Sequence, residues 1–433
     1  MLKKRWRCVF ISFLIVGLYC SVAFGAEKPV LKFWYLKSYV PPANETLEKN
    51  VQEWAAKNGV KVKIDFFTFD TMSVKYTSGI ETGALPDVGE MESFDAIRFA
   101  SMGKLTEVAD LLKTISSADG GLLPNLDLGI TFHGKIYGIP HYQLVNLLYC
   151  RKDLLDKIGA RVPQTWQELS DTATKIHNAG YMTYPIGEAW TYQSDGYNAW
   201  QGVLYSYGAS FADKEGNFKP YFNQPKAREA IKWATNIYIG KPRLTPPDCL
   251  AWKGYSNNEA WLRGEIGFTW NGPSIWYRLV AENHPLKNKT ILALTPAGPE
   301  GLRVGIPELM VLGVFKTTKY PKLAKSLIKY LLSKEPHEKF IKSAYGQVSP
   351  AYYNFTKMDF WKENPNQLNC MEIGKYTGLP GYPGPVTPAA ASVVASFIDM
   401  DMLQSIITGH LSMDEAIKIA DKKKEEIYRV LPH

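Results

Sequence analysis

The side chains of this chain that could carry chemistry are seven histidines, 42 carboxylates, three cysteines beyond the N-terminal stretch, and a large supply of aromatic rings, twelve of them tryptophan. His133, His141, His177, His284, His337, His410 and His433 stand far apart. None is at metal-pair spacing from another His or a Cys, and no His-Glu-x-x-His motif occurs. There is no Gly-x-Ser-x-Gly elbow and no P-loop. Cys150 closes an apolar run, where a thiol is buried and inert. Glycoside hydrolysis needs two carboxylates at a set separation, and a sequence does not measure separations. The balance favours recognition over turnover, with no cofactor and no metal expected. Trp233 and Trp261 sit in helical periodicity and read as core. Trp190, Trp270 and Trp276 lie at turns beside polar residues, which suits a face that is wet on one side.

These residues must be held by an alternating scaffold. Val30 to Tyr35 reads as a strand, and Asn44 to Asn58 as a helix with Leu47, Val51 and Trp54 on one face and Gly59 past its end. Lys61 to Phe69 alternates as a second strand. A helix follows to about Thr82, and "ALPDVGEM" supplies a third strand. This β-α-β-α-β order predicts a mainly parallel sheet with right-handed crossovers, where ligands meet the carboxyl ends of strands. Tyr181 to Trp276 is broken by Gly, Pro and Asn into short helices and loops. Tyr320 to Ile341 reads as an amphipathic helix followed by a second after Pro336.

The first 25 residues stand apart. Lys3, Lys4, Arg5 and Arg7 precede an apolar stretch, Phe10 to Leu18, and Ala23-Phe24-Gly25 offers a cleavage site before Ala26. The apolar stretch is shorter than the ~20 residues a spanning helix needs. Bulky Tyr19 before Cys20 favours ordinary cleavage over lipid attachment. The chain carries +8, of which the leader holds +4, so about +4 remains on roughly 400 residues. That excludes a nucleic-acid or anionic-membrane surface, and Lys422-Lys423-Lys424 followed by Glu425-Glu426 reads as a solvated helix face. Cys150, Cys249 and Cys370 allow at most one disulfide. A chain of this length suggests two domains, and no later run of 18 apolar residues is present.

"GKIYGIP" leading into the apolar run Leu144–Tyr149, then "RKDLLDKIG" and "VPQTWQEL", resembles the extracellular solute-binding proteins of ABC importers, in the carbohydrate-binding group that includes maltose-binding protein. "TGALPDVGEM", "EAWLRGEIGFTWNGPSIW", "AKSLIKYLLSKEPHEKFI" with "GQVSP", and "GHLSMDEAIKIADKKKEEI" follow in the family's order. Cys150 stands where the family usually has Asn. The resemblance implies an α/β two-lobed periplasmic-binding-protein fold of the class II type. Residues 27–142 with 305–348 would form one lobe, and 146–302 with 354–433 the other. The two crossovers would be Tyr137 to Leu148 and Leu302 to Val314, with Gly134, Gly138 and Pro140 shaping the first as a hinge.

Carried over position by position, the resemblance implies a cleft lined by Trp34, Tyr35, Asp70, Glu92, Ser93, Asp95, Tyr142, Gln143, Trp190, Trp270, Asn271, Ser274, Trp276, Glu308 and Tyr382. Trp190 falls where a stacking tyrosine is found in the family, and Ser274 where a tryptophan stacks. Aromatic faces with carboxylates suit a pyranose, whose C–H patch covers a ring while its hydroxyl rim meets charged acceptors. The expected protein is a monomeric periplasmic receptor that gives a sugar or oligosaccharide to the ABC permease subunits in the inner membrane. The rivals are an exported carbohydrate-active enzyme or lectin, and a receptor for a polyamine or metal chelate.

Overall fold

The computed structural model describes residues 28–431, without the side chains of residues 69, 70, 73 and 194. The leader, its cleavage position near Gly25-Ala26 and Cys20 lie outside the described residues.

Val30–Leu36 is the strand on which the first lobe is assembled, with Leu31 and Phe33 fully buried. It pairs in parallel with Lys61–Phe67 and with Val88–Glu92. The helix Pro41–Asn58 between the first two begins on a proline, which costs no helical N–H at that position. It ends at Gly59 in the left-handed region, φ 66°, and buries Leu47, Val51 and Trp54. The parallel part of the sheet stops there. Pro307–Val314 pairs antiparallel with Val88–Glu92, Ile139–Val145 pairs antiparallel with Pro307–Val314, and Val348–Pro350 closes the edge antiparallel to Ile139–Val145. Three of the five pairings in this six-stranded sheet are therefore antiparallel, where a mainly parallel sheet was expected. Pro307–Val314, the strand that joins both halves, enters on the return from the other lobe, so no helical crossover from Val88–Glu92 dictates its direction.

The second lobe carries a three-stranded antiparallel sheet, Phe268–Asn271, Leu147–Arg151 and Thr290–Ala293. Only Asn146 separates Ile139–Val145 in one sheet from Leu147–Arg151 in the other. One nearly continuous strand thus serves both lobes, and the chain crosses back between Thr290–Ala293 and Pro307–Val314. The glycines before the first crossing have different jobs. Gly134 takes a positive φ of 71°. Gly138 does not; a Cβ there would stand 3.0 Å from Val311, so it serves close packing rather than a sharp turn.

Separate apolar cores fill the lobes. Trp233 and Trp261 are buried in the second lobe, as their helical spacing indicates. Residues 354–362, expected with the second lobe, pack Phe355, Phe360 and Trp361 into the first-lobe core. Pro388–Ile407 is apolar enough by composition to cross a membrane. It instead forms two helices broken at Phe397 (φ 52°), with Val393, Met400 and Leu403 buried in the second core. Cys150, Cys249 and Cys370 are buried free thiols.

Candidate ligand-binding site

A cleft of 1520 Å³ opens between the lobes. The first lobe lines it with Tyr39, just past the first strand, with Leu144 and Asn146 at the crossing, with Glu308 on the returning strand, and with Gln347. The second lobe answers with Thr191, Gln193 and Asp195 at the start of the helix Ser194–Ser206, with Tyr255 and Ser256, and with the Asn271–Ser274 turn. Gly196 allows that helix to begin where it does, because a Cβ there would lie 1.9 Å from the Ala189 carbonyl oxygen. Contacts already span the gap. Asn198 Nδ2 donates to Glu308 Oε1 at 3.3 Å, and the rings of Tyr39 and Tyr255 meet edge-on with centroids 5.1 Å apart.

Carboxylates on the cleft walls and in the layer behind them are shifted by burial and by one another. Glu308 lies two residues before Met310, whose sheet partner is Glu92, so the two carboxylates share a face. Burial drives Glu92 well above the usual carboxylate range, and repulsion from Glu308 and Asp95 adds to it. Asp95 is raised to about 6, chiefly by burial, although Arg98 at 2.7 Å opposes the shift. Asp195 is likewise raised to about 6 by burial, against a hydrogen bond from Asn257. Among the described residues no group of three or more His, Cys, Asp or Glu side chains is placed to hold a metal ion.

Of the residues expected to line the cleft, Asn271, Ser274 and Glu308 do so. Asn258 accepts a hydrogen bond from Asn271 and donates one to Ser274 Oγ at 3.2 Å, which fixes the turn. Glu92 is half-buried behind Glu308. The structure places the others elsewhere. Trp34, Tyr35, Ser93, Asp95, Tyr142 and Gln143 are buried in the first lobe. Tyr142 donates its hydroxyl to Glu90 at 3.3 Å. Gln143 ties the crossing strand to Pro350 and Thr377. Trp190, Trp270 and Trp276 are not half-wet platforms; all are buried in the second lobe. Trp270 packs on Trp166 at 4.6 Å, and the Trp276 backbone N–H donates to the Tyr149 hydroxyl oxygen at 3.2 Å. Tyr382 is half-buried against Tyr205. The side chain of Asp70 lies outside the description.

Beneath the first-lobe wall, a bulge in the crossing strand lets His141 Nδ1 meet Glu90 Oε1 at 2.8 Å, both side chains buried. Burial holds Glu90 well above the usual carboxylate range and lowers His141 to about 3, so the imidazole is neutral near pH 7. His337 packs beside them, its ring 4.5 Å from Phe355, with no hydrogen-bond partner at either ring nitrogen among the described residues. Burial also lowers it well below the ordinary histidine value. A lowered folded-state pKa gives stability that is fully present above about 6.5 and is lost as pH falls below it, since the unfolded chain takes up the proton first. The variant His337→Leu should therefore gain on the wild type as pH drops from about 7.5 to 5. Thermal melts of both proteins measure this; a melting-temperature difference that stays constant over that range would refute it.

Several cleft residues carry no signal of their own in the sequence: Tyr39, Gln193, Trp252, Tyr255 and Gln347. Their loops come from segments far apart in the chain. One sign was available for Asp195, since Ser-Asp-Gly is a helix-start pattern next to an aromatic loop.

The fold has close counterparts. The structure superimposes with a TM-score of 0.78 on a solute-binding protein of Thermotoga lettingae bound with α-D-tagatose, covering 93% of this chain and 100% of that one at 22% identity. It matches a maltose-bound T. maritima protein equally well, again at 0.78 and 22% identity, over 92% of this chain and 100% of that one. In sequence, a putative binding protein of Brucella abortus is 24% identical over 99% of this chain and all of its own length. A probable ABC transporter-binding protein of Deinococcus radiodurans is 24% identical over 78% of this chain and 81% of its own. Residues 39–338 match the family described as bacterial extracellular solute-binding protein. That stretch holds both crossings and most of the cleft, and this two-lobed chain belongs to that family.

Proposed function

We propose that the protein is the periplasmic receptor of an ABC importer, which takes a sugar or oligosaccharide into the interlobe cleft and hands it, unaltered, to the membrane permease. The lobes would divide at Asn146, between Ala293 and Pro307, and after Lys362. The observation that carries the reading is a cleft with polar and aromatic groups on both walls. Glu308 and Gln347 face Asp195, Gln193 and Asn271, while Tyr39 and Tyr255 stand on opposite lobes. Such an arrangement suits a ligand with a hydroxyl rim and C–H faces. It also makes closure depend on ligand, because only contacts to both lobes at once favour the closed state. The sugars named for the structural relatives support the same class.

A thermal-shift screen across sugars, polyamines and metal chelates tests the proposal. A ligand at 100 times its dissociation constant should stabilise the fold by about 2.7 kcal/mol. A shift with polyamines or chelates and none with sugars would refute the sugar assignment. Product release from an oligosaccharide would refute the assignment of binding without turnover. Once a sugar is identified, Glu308→Gln should weaken it by about 1.5–3 kcal/mol, the range for hydrogen bonds to charged groups. Isothermal calorimetry reads this directly, and unchanged affinity would remove Glu308 from the ligand contacts.

A further inference from the structure

The cleft continues past the place where the lobes meet. Leu147 pairs with Asn271, so the crossing residue Asn146 stands at that end of the strand Phe268–Asn271. The cavity lining does not stop there. Ile266, Glu265 and Arg263 also border it, beyond the strand's opposite end. At about 3.3 Å per residue, the five steps from Ile266 to Asn271 carry the lining roughly 17 Å from the crossing. Tyr184 belongs to the same far end, because the next residue, Pro185, accepts hydrogen bonds from Gly267 and Phe268, each at 2.8 Å. This annex is walled by Tyr184, Pro246, Pro247, Leu250, Trp252 and Ile266, all from the second lobe.

The chemistry of the annex is selective. Arg263 and Glu265 pair with each other at 2.7 Å, and Asp248 accepts the Trp252 indole N–H at 3.0 Å. Beside the neutralised Arg263–Glu265 pair and the hydrogen-bonded Asp248 carboxylate, the annex presents flat apolar and aromatic surface. That surface suits the C–H face of a neutral ring, with Asp248 as a hydroxyl acceptor at its edge, better than a phosphate. The volume of 1520 Å³ also exceeds the ~300–1,000 Å³ of sites that take one small molecule.

We infer that the annex holds the far end of an elongated neutral carbohydrate, two rings or longer, and that it adds affinity without driving lobe closure. The inference rests on the sugar reading of the cleft and adds a division of labour to it. Rings between the lobes touch both walls and favour closure; rings in the annex touch one lobe, are held alike in the open and closed forms, and shift nothing between them.

Two series test it by calorimetry and small-angle X-ray scattering: glucose to maltotetraose, and glucose to laminaritetraose. In a series that binds, affinity should rise with length, while the contraction of the radius of gyration at saturation should be the same for the shortest and longest members that bind. Trp252→Ala should cut the affinity ratio of tetrasaccharide to disaccharide by about 2- to 12-fold, the loss expected for one aromatic stacking contact. If that variant does not fold, Leu250→Ala serves in its place, and the scattering comparison on the wild type needs no variant. Affinity independent of length, or contraction that grows with length, overturns the annex while leaving the sugar reading intact. If neither series binds while the thermal-shift screen finds a non-sugar ligand, both fall together.

Discussion

Replacing Lys424 with methionine is expected to destabilise the second lobe by about 3–5 kcal/mol, the usual cost of stranding one partner of a buried ion pair. Lys424 is fully buried and pairs with Asp399, itself fully buried. Its ammonium lies 3.4 Å from the centre of the Tyr221 ring. Asp399 also accepts the Trp200 indole N–H at 3.0 Å and the Tyr221 hydroxyl at 2.9 Å. These two donors would remain in the variant, but neither carries charge, so the carboxylate would be left without a cation in an apolar core. The double variant Lys424→Met/Asp399→Asn should recover much of the loss, because removing both charges ends the uncompensated burial. Urea unfolding of the three proteins decides it. A single variant as stable as the wild type would show that the pair contributes nothing, and a double variant worse than the single would show that the charges are not coupled.

Lys424 also shows what kind of information a sequence holds. In the run Lys422-Lys423-Lys424 the first two are exposed, as a solvated helix face requires, and the third is not. The helix Met413–Val430 buries Ile417, Ala420, Asp421, Lys424 and Tyr428. That spacing of three and four residues was visible all along, but a charge at a core position reads as surface until its partner is known. Local pattern was legible wherever one segment decides its own structure: the first three strands, the helix of Leu47, Val51 and Trp54, and the apolar run through Asn146. The antiparallel part of the first sheet was not, because the direction of Pro307–Val314 depends on chain that leaves and returns. The cleft was legible at Asn271, Ser274 and Glu308, which sit at or beside strand ends, where the backbone must open into a turn or a crossing. It was illegible on the long loops. Only Thr191 separates buried Trp190 from Tyr192, which borders the cleft, and nothing local in "AWTY" says which ring faces water.

That ambiguity sets the other large effect. Trp190→Ala is expected to cost stability rather than affinity, by about 3–5 kcal/mol for deleting a fully buried tryptophan. The ring is wholly enclosed in the second-lobe core. Its indole N–H donates to the Ala234 carbonyl at 2.9 Å, which ties the loop to the helix Pro225–Ile239. The residue's own carbonyl accepts from Gln404 at 2.7 Å, which ties it to the helix Ile398–Ile407. Truncation would open a cavity where three segments join and leave the Ala234 carbonyl without this donor. The same loop continues into Thr191 and Gln193 on the cleft wall, so the folded fraction should still bind, with at most a secondary loss from a loosened loop. Melting temperature and calorimetry on one preparation separate the two roles. A lowered melting temperature with near-native affinity fits a core residue. An unchanged melting temperature with weakened binding would place Trp190 against the ligand after all.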